Sequence, residues 1–336
     1  MMEIIQTNPG LADFQLFVDF PKSIYDTESI RFKSLEYIPE EFLAVCYLLF
    51  NNGKPVARAS LYNNPLLQYH HQRALTIGNY ECTDNPLYAA KMLSHLQSEA
   101  KFLKAPYLIG PMNGSTWENY RFGISDENPA FFTENLHQLY YNKHFIDAGF
   151  EPIAHYFSNI DKSFKFDLPE ILKREQEFNE EGVVIRSIDL LDFEEEIARI
   201  YDFNKVAFKT NFLYTPITKD AFIAKYAHTK KYIDPCFTLI AEDKNQNLIG
   251  YYFCVHDFFN VKEKSLIVKT LARHPDPKWS GLGHVIGNVI YRRANAIGYT
   301  SAIHPFIYQQ GTSVKLSENF SGVNYKNYVL YGKQIH

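Results

Sequence analysis

The sequence predicts an α/β protein that contains two tandem copies of one domain. A length of 336 residues exceeds what a single hydrophobic core usually supports. The predicted element order β-β-β-α-β-α-β occurs twice, and a charged, helix-like segment at 169–177 separates the two copies. We therefore expect one domain at 1–165, a charged linker at 166–182 and a second domain at 183–336.

A β-hairpin is predicted near the start of each copy. In the first copy, apolar runs at 42–50 and 55–62 flank a turn that ends at Gly53, and Asn-Gly is a strong hairpin signal. In the second copy, similar runs at 236–242 and 247–256 flank a short polar turn. The agreement in type and order indicates that a whole domain was duplicated.

The other elements follow in the same order in both copies. Helices are expected before the hairpins, at 23–38 and 192–226. After the hairpins we predict a third strand (74–82 and 265–273), a helix (88–103 and 283–297), a short strand (107–110 and 301–307), a second helix (139–148 and 313–318) and a closing strand (153–160 and 325–331).

Composition excludes several classes of protein. Hydrophobic residues make up 46% and charged residues 21% of the chain, which permits well-buried cores, and the many aromatic residues make ring-lined pockets plausible. A net charge of −4 argues against a nucleic-acid partner. No run approaches the ~18 apolar residues of a membrane span, and the N-terminus does not resemble a signal peptide. We expect a cytoplasmic protein with no membrane partner.

The four cysteines are scattered along the chain, and three of them lie inside apolar runs. No Cys-x-x-Cys spacing or adjacent histidine frame accompanies them, so we expect ordinary core thiols and no metal site.

The segment Lys278-Trp279-Ser280-Gly281-Leu282-Gly283-His284 predicts a binding site for a coenzyme phosphate. It lies between a predicted strand and a predicted helix. Its glycines allow the backbone N–H groups to approach an anion, and the helix dipole adds partial positive charge. The alternative is that the two glycines only form a turn or cap the helix.

Spacing excludes two other phosphate-binding loops. A P-loop requires Gly-Lys-Ser/Thr four residues after a first glycine, and the chain contains no such string. The dinucleotide fingerprint requires Gly-x-Gly-x-x-Gly, whereas Gly281, Gly283 and Gly287 are one residue too far apart. The pattern that remains, Arg/Gln-x-x-Gly-x-Gly/Ala, is typical of GNAT acetyltransferases, which this segment resembles with Lys278 in the first position.

Nearly the whole chain resembles tandem GNAT proteins, in particular an uncharacterised bacterial group with two such domains. The segments Phe17-Val18-Asp19-Phe20-Pro21, Gly110-Pro111-Met112-Asn113-Gly114-Ser115-Thr116, Asp147-Ala148-Gly149-Phe150 and Tyr325-Lys326-Asn327-Tyr328-Val329-Leu330-Tyr331 carry this closer likeness. The resemblance implies an α/β (α+β) fold in which each domain is a mixed, mostly antiparallel sheet flanked by helices. It also implies that the sheet opens between its fourth and fifth strands to admit the coenzyme A arm.

The resemblance further implies an N-acyltransferase that uses acetyl-CoA or another acyl-CoA, without a metal, and acts on a small-molecule or peptide amine. Backbone N–H groups near 271–273 would stabilise the oxyanion that develops on the thioester carbonyl. The residues expected to hold the coenzyme are Leu271, Ala272, Arg273, Lys278, Trp279, Ser280, Gly281, Leu282, Gly283 and His284.

The corresponding loop of the first copy, 83–88, does not fit a diphosphate. It has no glycine, Pro86 lacks an N–H donor and Asp84 would repel phosphate. We expect Pro86 to open a helix that is capped by Asp84 or Asn85. Coenzyme binding is therefore expected in the second copy only.

Candidate catalytic residues are Tyr308 and His304, and both depart from the family pattern. GNAT enzymes often use a tyrosine on the helix after the fifth strand as general acid, but the alignment of the chain ending puts Ser317 there. Tyr308, at the end of the fifth strand, is a substitute acid, and His304 is a candidate base if it faces the cleft. The aromatic segment 117–121 is expected to pack between the copies or to line a substrate pocket.

Two other functions remain open at this stage. Because Ser317 replaces the usual tyrosine, a non-catalytic GNAT-like protein that binds a ligand is an alternative. An aminoacyl-tRNA-dependent transferase is a weaker one, because the chain is acidic and has no basic stripe. We expect a monomer or a homodimer.

Overall fold

The computed structural model describes residues 1–29 and 32–336. The first half contains β1 (Met2–Thr7), α1 (Phe14–Asp19), β2 (Leu43–Asn51), β3 (Lys54–Tyr62), β4 (Gln68–Tyr69), β5 (Gln72–Cys82), α2 (Pro86–Phe102), β6 (Tyr107–Gly110), β7 (Phe122–Gly123), α3 (Tyr141–Asp147) and β8 (Glu151–Asp161).

From the hairpin onward, the second half repeats the main order of three strands, helix, strand, helix and closing strand. It contains α4 (Pro169–Glu180), β9 (Val184–Ser187), α5 (Phe193–Ala207), α6 (Lys219–Thr229), β10 (Thr238–Glu242), β11 (Leu248–His256), β12 (Ser265–Arg273), α7 (Leu282–Ala296), β13 (Ser301–Tyr308), α8 (Ser313–Asn319) and β14 (Val323–Gln334). No helix in the described part of the chain has the length and apolar character needed to cross a bilayer.

A single sheet runs through the whole molecule. Its strand order is β1-β2-β3-β5-β6-β14-β8-β13-β12-β11-β10-β9, with β4 and β7 attached at the sides. Only the pairs β5–β6 and β12–β13 are parallel among the described strands. The α/β architecture with a mixed, mostly antiparallel sheet flanked by helices, predicted from the sequence, is confirmed.

The two halves exchange their closing strands. Strand β14, at the end of the second half, pairs with β6 of the first half, where Tyr331 lies opposite Gly110. Strand β8, at the end of the first half, pairs with β13 of the second half, where Ile303 lies opposite Ile160. The strands β8 and β14 also pair with each other along most of their length, so the exchange joins the halves into one sheet.

Several predicted elements need correction. Strands β1 and β9, which add an edge strand to each half, were not predicted. The first half opens with α1, which precedes the segment 23–38 where a helix was predicted. Residues 30–31 of that segment lie outside the described residues. The described part of the segment holds a 3₁₀ turn at Phe32–Leu35. Short polar and aromatic segments of this kind give no clear helical periodicity.

Helix α4 corresponds to the charged segment predicted as a linker, and it packs against the second half. Ile171 and Phe178 are buried in the core beside α7. Arg292 on α7 forms ion pairs with Asp167 and Glu175, at 2.6 and 3.0 Å. The segment is therefore a docked helix, and the exact domain boundaries stay a prediction.

Candidate active site

A gap opens between β12 and β13 in the second half. The two strands pair in parallel from Ser265 to Ile267, and the pairing ends there. Beyond that point no strand of the described residues pairs with the side of β12 that faces β13. The amide of His274 donates to Ile249 on the opposite side, at 2.8 Å. Because amide direction alternates along a strand, the N–H groups of Leu271 and Arg273 point into the gap, as expected for oxyanion donors.

Ala272 differs from its neighbours. By the same alternation its amide points towards β11, and its side chain is buried in the core between the sheet and the helices α5 and α6. Of the three strand residues predicted to meet the coenzyme, Leu271 and Arg273 thus offer donors and Ala272 contributes packing.

The predicted phosphate loop ends in three free amides. Gly281 has φ +88°, a left-handed conformation that favours glycine, and it precedes the first residue of α7. Within the described chain, the N–H groups of Gly281, Leu282 and Gly283 have no hydrogen-bond partner, whereas that of Lys278 is bound by Asp276 and that of Ser280 by the Pro277 carbonyl. These three donors lie at the positive end of the helix dipole.

Arg174 on α4 braces the same loop. Its Nε donates to the Ser280 carbonyl at 3.1 Å, and its Nη2 donates to the Lys278 carbonyl at 3.0 Å. Arg174 thus fixes the carbonyl groups of the loop and leaves the amides of Gly281, Leu282 and Gly283 unbound by the described residues. Sequence reasoning missed Arg174, because a single arginine in a charged helix gives no signal that its fork would reach backbone carbonyls.

The side chains of the loop have mixed roles. Trp279 is buried against Phe178, whereas Lys278 is exposed. The His284 ring lies against Phe320, and its Nε2 contacts the Asn319 amide at 2.9 Å. The loop therefore presents its backbone, and His284 is already engaged with α8.

Gly283 lies beside Leu316 and Leu271 and has room for a small side chain. A Cβ at this position would lie 3.5 Å from Leu316 and 3.6 Å from Leu271, which is ordinary contact. The loop amides and the open strand edge together fit an acyl-CoA. The amides provide donors for a diphosphate, and the N–H groups of Leu271 and Arg273 provide donors for a thioester carbonyl.

His304 is buried in a hydrogen-bond network and does not open to the gap. Its Nε2 lies 2.8 Å from the Tyr291 hydroxyl, and its Nδ1 lies 2.7 Å from Ser317 Oγ. Ser317 also accepts a hydrogen bond from Asn159 at 2.9 Å. Burial lowers the pKa of His304 to about 4, so the ring stays neutral near pH 7. This arrangement supports a structural role for both His304 and Ser317.

Tyr308 lies at the open end of β13, on the other face of the sheet. Its ring stacks on Phe212, with centroids 5.3 Å apart, and its hydroxyl contacts Gln310 at 3.2 Å. The structure therefore separates the two predicted catalytic residues, because Tyr308 faces the side covered by α5 and α6 whereas His304 faces α7.

Two cationic side chains lie near the gap. Arg121 belongs to the segment 117–121 that was expected to pack between the copies or to line a substrate pocket, whereas Lys269 was not predicted. Lys269 occupies a bulge in β12, where the register with β11 shifts. It is accessible to solvent but crowded by protein atoms, and this partial desolvation, with Lys225 and Arg121 nearby, lowers the pKa of Lys269 to about 8. A lysine inside an otherwise apolar strand was the signal available in the sequence.

Within segment 117–121, the residues have different roles. Trp117 packs against Phe222 and donates from Nε1 to the Thr215 carbonyl at 2.8 Å, which joins the two halves. Arg121 instead lies under the rings beside the gap.

In the first half the equivalent gap is filled by the chain itself. The amide of Met112 donates to the Ile77 carbonyl at 2.6 Å, and Asn113 accepts from the Asn79 amide at 3.0 Å. A Cβ at Gly78 would lie only 2.4 Å from Asn113 Oδ1, so the strands and this segment are in close contact.

Among the described residues, the loop before α2 offers fewer free amides than the loop before α7. Pro86 opens the helix and Asn85 caps it, accepting from the Leu87 amide at 2.9 Å, which confirms the predicted capping. The loop and the filled gap both disfavour coenzyme binding in this half.

Comparisons with solved structures identify the fold. The chain superimposes on a tandem GNAT protein from the clavulanic acid biosynthesis pathway with a TM-score of 0.55 and 8% identity, covering 100% of this chain and 99% of that one. For a GCN5-related N-acetyltransferase from Sphaerobacter thermophilus the TM-score is 0.51 and the identity 14%, covering 99% and 96%.

A third match is a GCN5-related glucosamine N-acetyltransferase region of a fungal multi-domain β-N-acetylglucosaminidase, with a TM-score of 0.60 and 12% identity. It covers 99% of this chain, which spans 38% of the length of the fungal protein. No protein-family model matches the sequence, and no curated protein is significantly similar to it. Likeness at this level of identity shows architecture, and on that basis the chain has the tandem GNAT fold.

Proposed function

We propose that the protein is an acyl-CoA-dependent N-acyltransferase whose second half holds the coenzyme. The observation that carries this proposal is the set of three free amides at Gly281, Leu282 and Gly283, next to the open edge of β12. An anion bound there gains hydrogen bonds from donors that otherwise have no protein partner. The acceptor is a small-molecule or peptide amine, and acetyl-CoA is the first acyl donor to test.

The acyl-CoA would supply an activated thioester, and the residues of the gap would position it. The N–H groups of Leu271 and Arg273 are the donors available to the carbonyl oxygen as negative charge develops on it; a donor of this kind is worth about 3 to 4 kcal/mol in well-studied enzymes. The amine must be neutral to attack. The departing thiol, with a reference pKa near ~8.5, needs only modest help from an acid.

Tyr308 is the better placed of the two candidate catalytic residues. It lies at the end of β13 and is partly exposed, whereas His304 has both ring nitrogens engaged in the interior. Replacing Tyr308 with Phe is expected to lower kcat by less than removal of an oxyanion donor would, because a thiolate is already a fair leaving group.

Calorimetry with coenzyme A tests the proposal. We expect binding to the wild-type protein and loss of binding in Gly281→Val, with a circular dichroism spectrum that stays unchanged. Thiol release from acetyl-CoA in the presence of a panel of amines then measures transfer. If coenzyme A does not bind to the wild-type protein, the proposal fails.

A non-catalytic ligand-binding protein is the second candidate, because Ser317 occupies the position of the usual acid and is buried against His304 and Asn159. Coenzyme binding without transfer to any amine of the panel would favour it.

A further inference from the structure

Arg121 is a half-buried cation whose guanidinium group has no polar partner among the described residues. Its guanidinium carbon lies 3.8 Å from the centre of the Tyr120 ring, 4.2 Å from that of Phe306 and 4.7 Å from that of Tyr156. Its Nε and Nη1 are buried and have no hydrogen-bond acceptor, and Nη2, which is not fully buried, has none either among the described residues. Aromatic contacts hold the group in place, and its donors are left unused.

Unused guanidinium donors inside a protein carry a desolvation cost. An arginine offers five N–H donors in a planar fork that matches the two oxygens of a carboxylate or the oxygens of a phosphate. Leaving charged donors unsatisfied costs more than leaving neutral ones unsatisfied. The stacked rings fix the plane of the fork, which lowers the entropy lost when an anion binds.

Lys269, on the opposite side of the gap, is a second cation for which the described part of the chain supplies no partner. Its ammonium group forms no hydrogen bond or ion pair with any described residue. The nearby carboxylate of Glu118 is already paired with Lys225, at 2.7 Å. The local charge balance is therefore positive at the point where β12 and β13 separate.

Both cations lie on the face of the sheet that is covered by α5 and α6. Ile267 is buried in the core on that face, and Lys225 on α6 lies close enough to the Lys269 ammonium group to lower its pKa, which places the Lys269 side chain on the same face. Phe306, which lies beneath Arg121, packs against the same core from β13. Lys269 belongs to β12, on one side of the gap. Arg121 stacks on Phe306 of β13, on the other side of the gap.

The phosphate loop belongs to the other face. It leads into α7, which packs with the core on the side opposite α5 and α6. An anion near Arg121 and Lys269 is therefore distinct from the diphosphate of the coenzyme. It lies where an acceptor would approach the end of an acyl-CoA held in the gap.

We propose that Arg121 and Lys269 form a binding site for an anionic group of the acceptor, so that the substrate is an amine that also carries a carboxylate or a phosphate. This inference rests on the proposed transferase function and specifies its substrate class. A neutral amine of the same size would leave both cations without a partner and would bind more weakly.

Matched pairs of acceptors test the inference. Amino acids are compared with their α-carboxamides, and O-phosphoethanolamine with ethanolamine, by thiol release from acetyl-CoA; the two pairs distinguish carboxylate from phosphate. In at least one pair we expect the anionic member to have a kcat/KM at least about tenfold higher, the effect of one charge-assisted hydrogen bond.

Three variants test whether the preference for anionic acceptors arises from Arg121 and Lys269. Lys269→Gln is expected to remove most of it by raising KM for the anionic member, and Arg121→Lys to reduce it because a point charge cannot replace the fork. Lys262→Gln removes the same charge from an exposed turn and is expected to leave the preference unchanged. Circular dichroism checks that Arg121→Lys folds. Lys269 is accessible, so Lys269→Gln keeps the test valid if Arg121→Lys does not fold.

The outcomes separate this inference from the proposed function. Transfer that shows no preference for anionic acceptors, or a Lys269→Gln variant that loses kcat equally for both members of a pair, overturns the inference and leaves the transferase standing. If no transfer occurs, calorimetry with the same compounds tests whether the site binds the anionic members. Binding of an anionic member that is lost in Lys269→Gln supports the site, and failure of every anionic member to bind the wild-type protein overturns it.

Discussion

Replacing Gly281 with Ala should place a measurable strain on the phosphate loop. A residue with a Cβ in the left-handed conformation costs about 1 to 2 kcal/mol relative to glycine, and Gly281 has φ +88°. The new Cβ would also lie 3.1 Å from Arg174 Cγ, so the arginine must shift by a few tenths of an ångström. If the loop keeps its conformation, the free energy of unfolding falls by this amount.

The strain can instead appear in binding. If the loop relaxes in the free protein, the coenzyme must restore the left-handed turn, and its Kd rises by roughly 5- to 30-fold for the same 1 to 2 kcal/mol. The losses in unfolding free energy and in binding free energy should therefore sum to about 1 to 2 kcal/mol. Urea denaturation measures the first, provided that the m-value is unchanged, and calorimetry with coenzyme A measures the second.

Gly283→Ala is the matched control, two residues away. Gly283 is helical, and its Cβ would make only ordinary contacts at 3.5 and 3.6 Å. Alanine is a better helix former than glycine by up to ~1 kcal/mol, so stability should be equal or higher and coenzyme binding retained. The reasoning is refuted if Gly281→Ala changes neither quantity, or if both variants lose the same amount.

Three further predictions follow from the fold and the site. Lys269→Met should stabilise the protein at pH 7, because folding lowers the pKa of Lys269 to about 8 and the charged form is therefore disfavoured in the folded state. The gain in unfolding free energy should shrink as pH rises from about 8 towards 10.5, the pKa of the lysine in the unfolded chain. Urea denaturation of both proteins across that pH range measures this change. Ser317→Ala should cost about 1 to 3 kcal/mol of stability by leaving His304 and Asn159 without their shared partner, and should not change the Kd for coenzyme A in calorimetry. Fragments 1–165 and 166–336 should not form stable monomers alone but should form a 1:1 complex when co-expressed, as light scattering after gel filtration would show; two folded monomers would contradict the strand exchange.

Local patterns in the sequence predicted most of the elements. The turn at Gly53 with alternating apolar flanks gave the β2–β3 hairpin within a residue or two, and the apolar run that became β12 was predicted at its observed bounds. The strand exchange was not predictable in this way. Each closing strand has the same pattern whichever neighbour it pairs with, and pairing over such a sequence separation leaves no local signal.

In the candidate site, too, the parts that depend on a local motif were predictable and the parts that depend on tertiary packing were not. A short motif predicted the phosphate loop, because two glycines between a strand and a helix carry a specific backbone conformation. The surroundings of Arg121, Lys269 and Arg174 depend on which segments pack together, and composition alone does not report that. Whether His304 faces the cleft could not be read from the sequence, because its partners Tyr291 and Ser317 lie on helices that only the fold brings close to it.

The exchanged strands affect the order in which the chain can fold during synthesis. Strand β6 ends at Gly110, but its neighbour β14 begins only at Val323. At about 5 to 20 residues per second, the roughly 200 residues between them take on the order of 10 to 40 seconds to translate. During that time the edge of β6 exposes unpaired backbone groups to other nascent chains. The sheet of the N-terminal half therefore stays incomplete until β14 has been synthesised, and the risk of aggregation is greatest before that point.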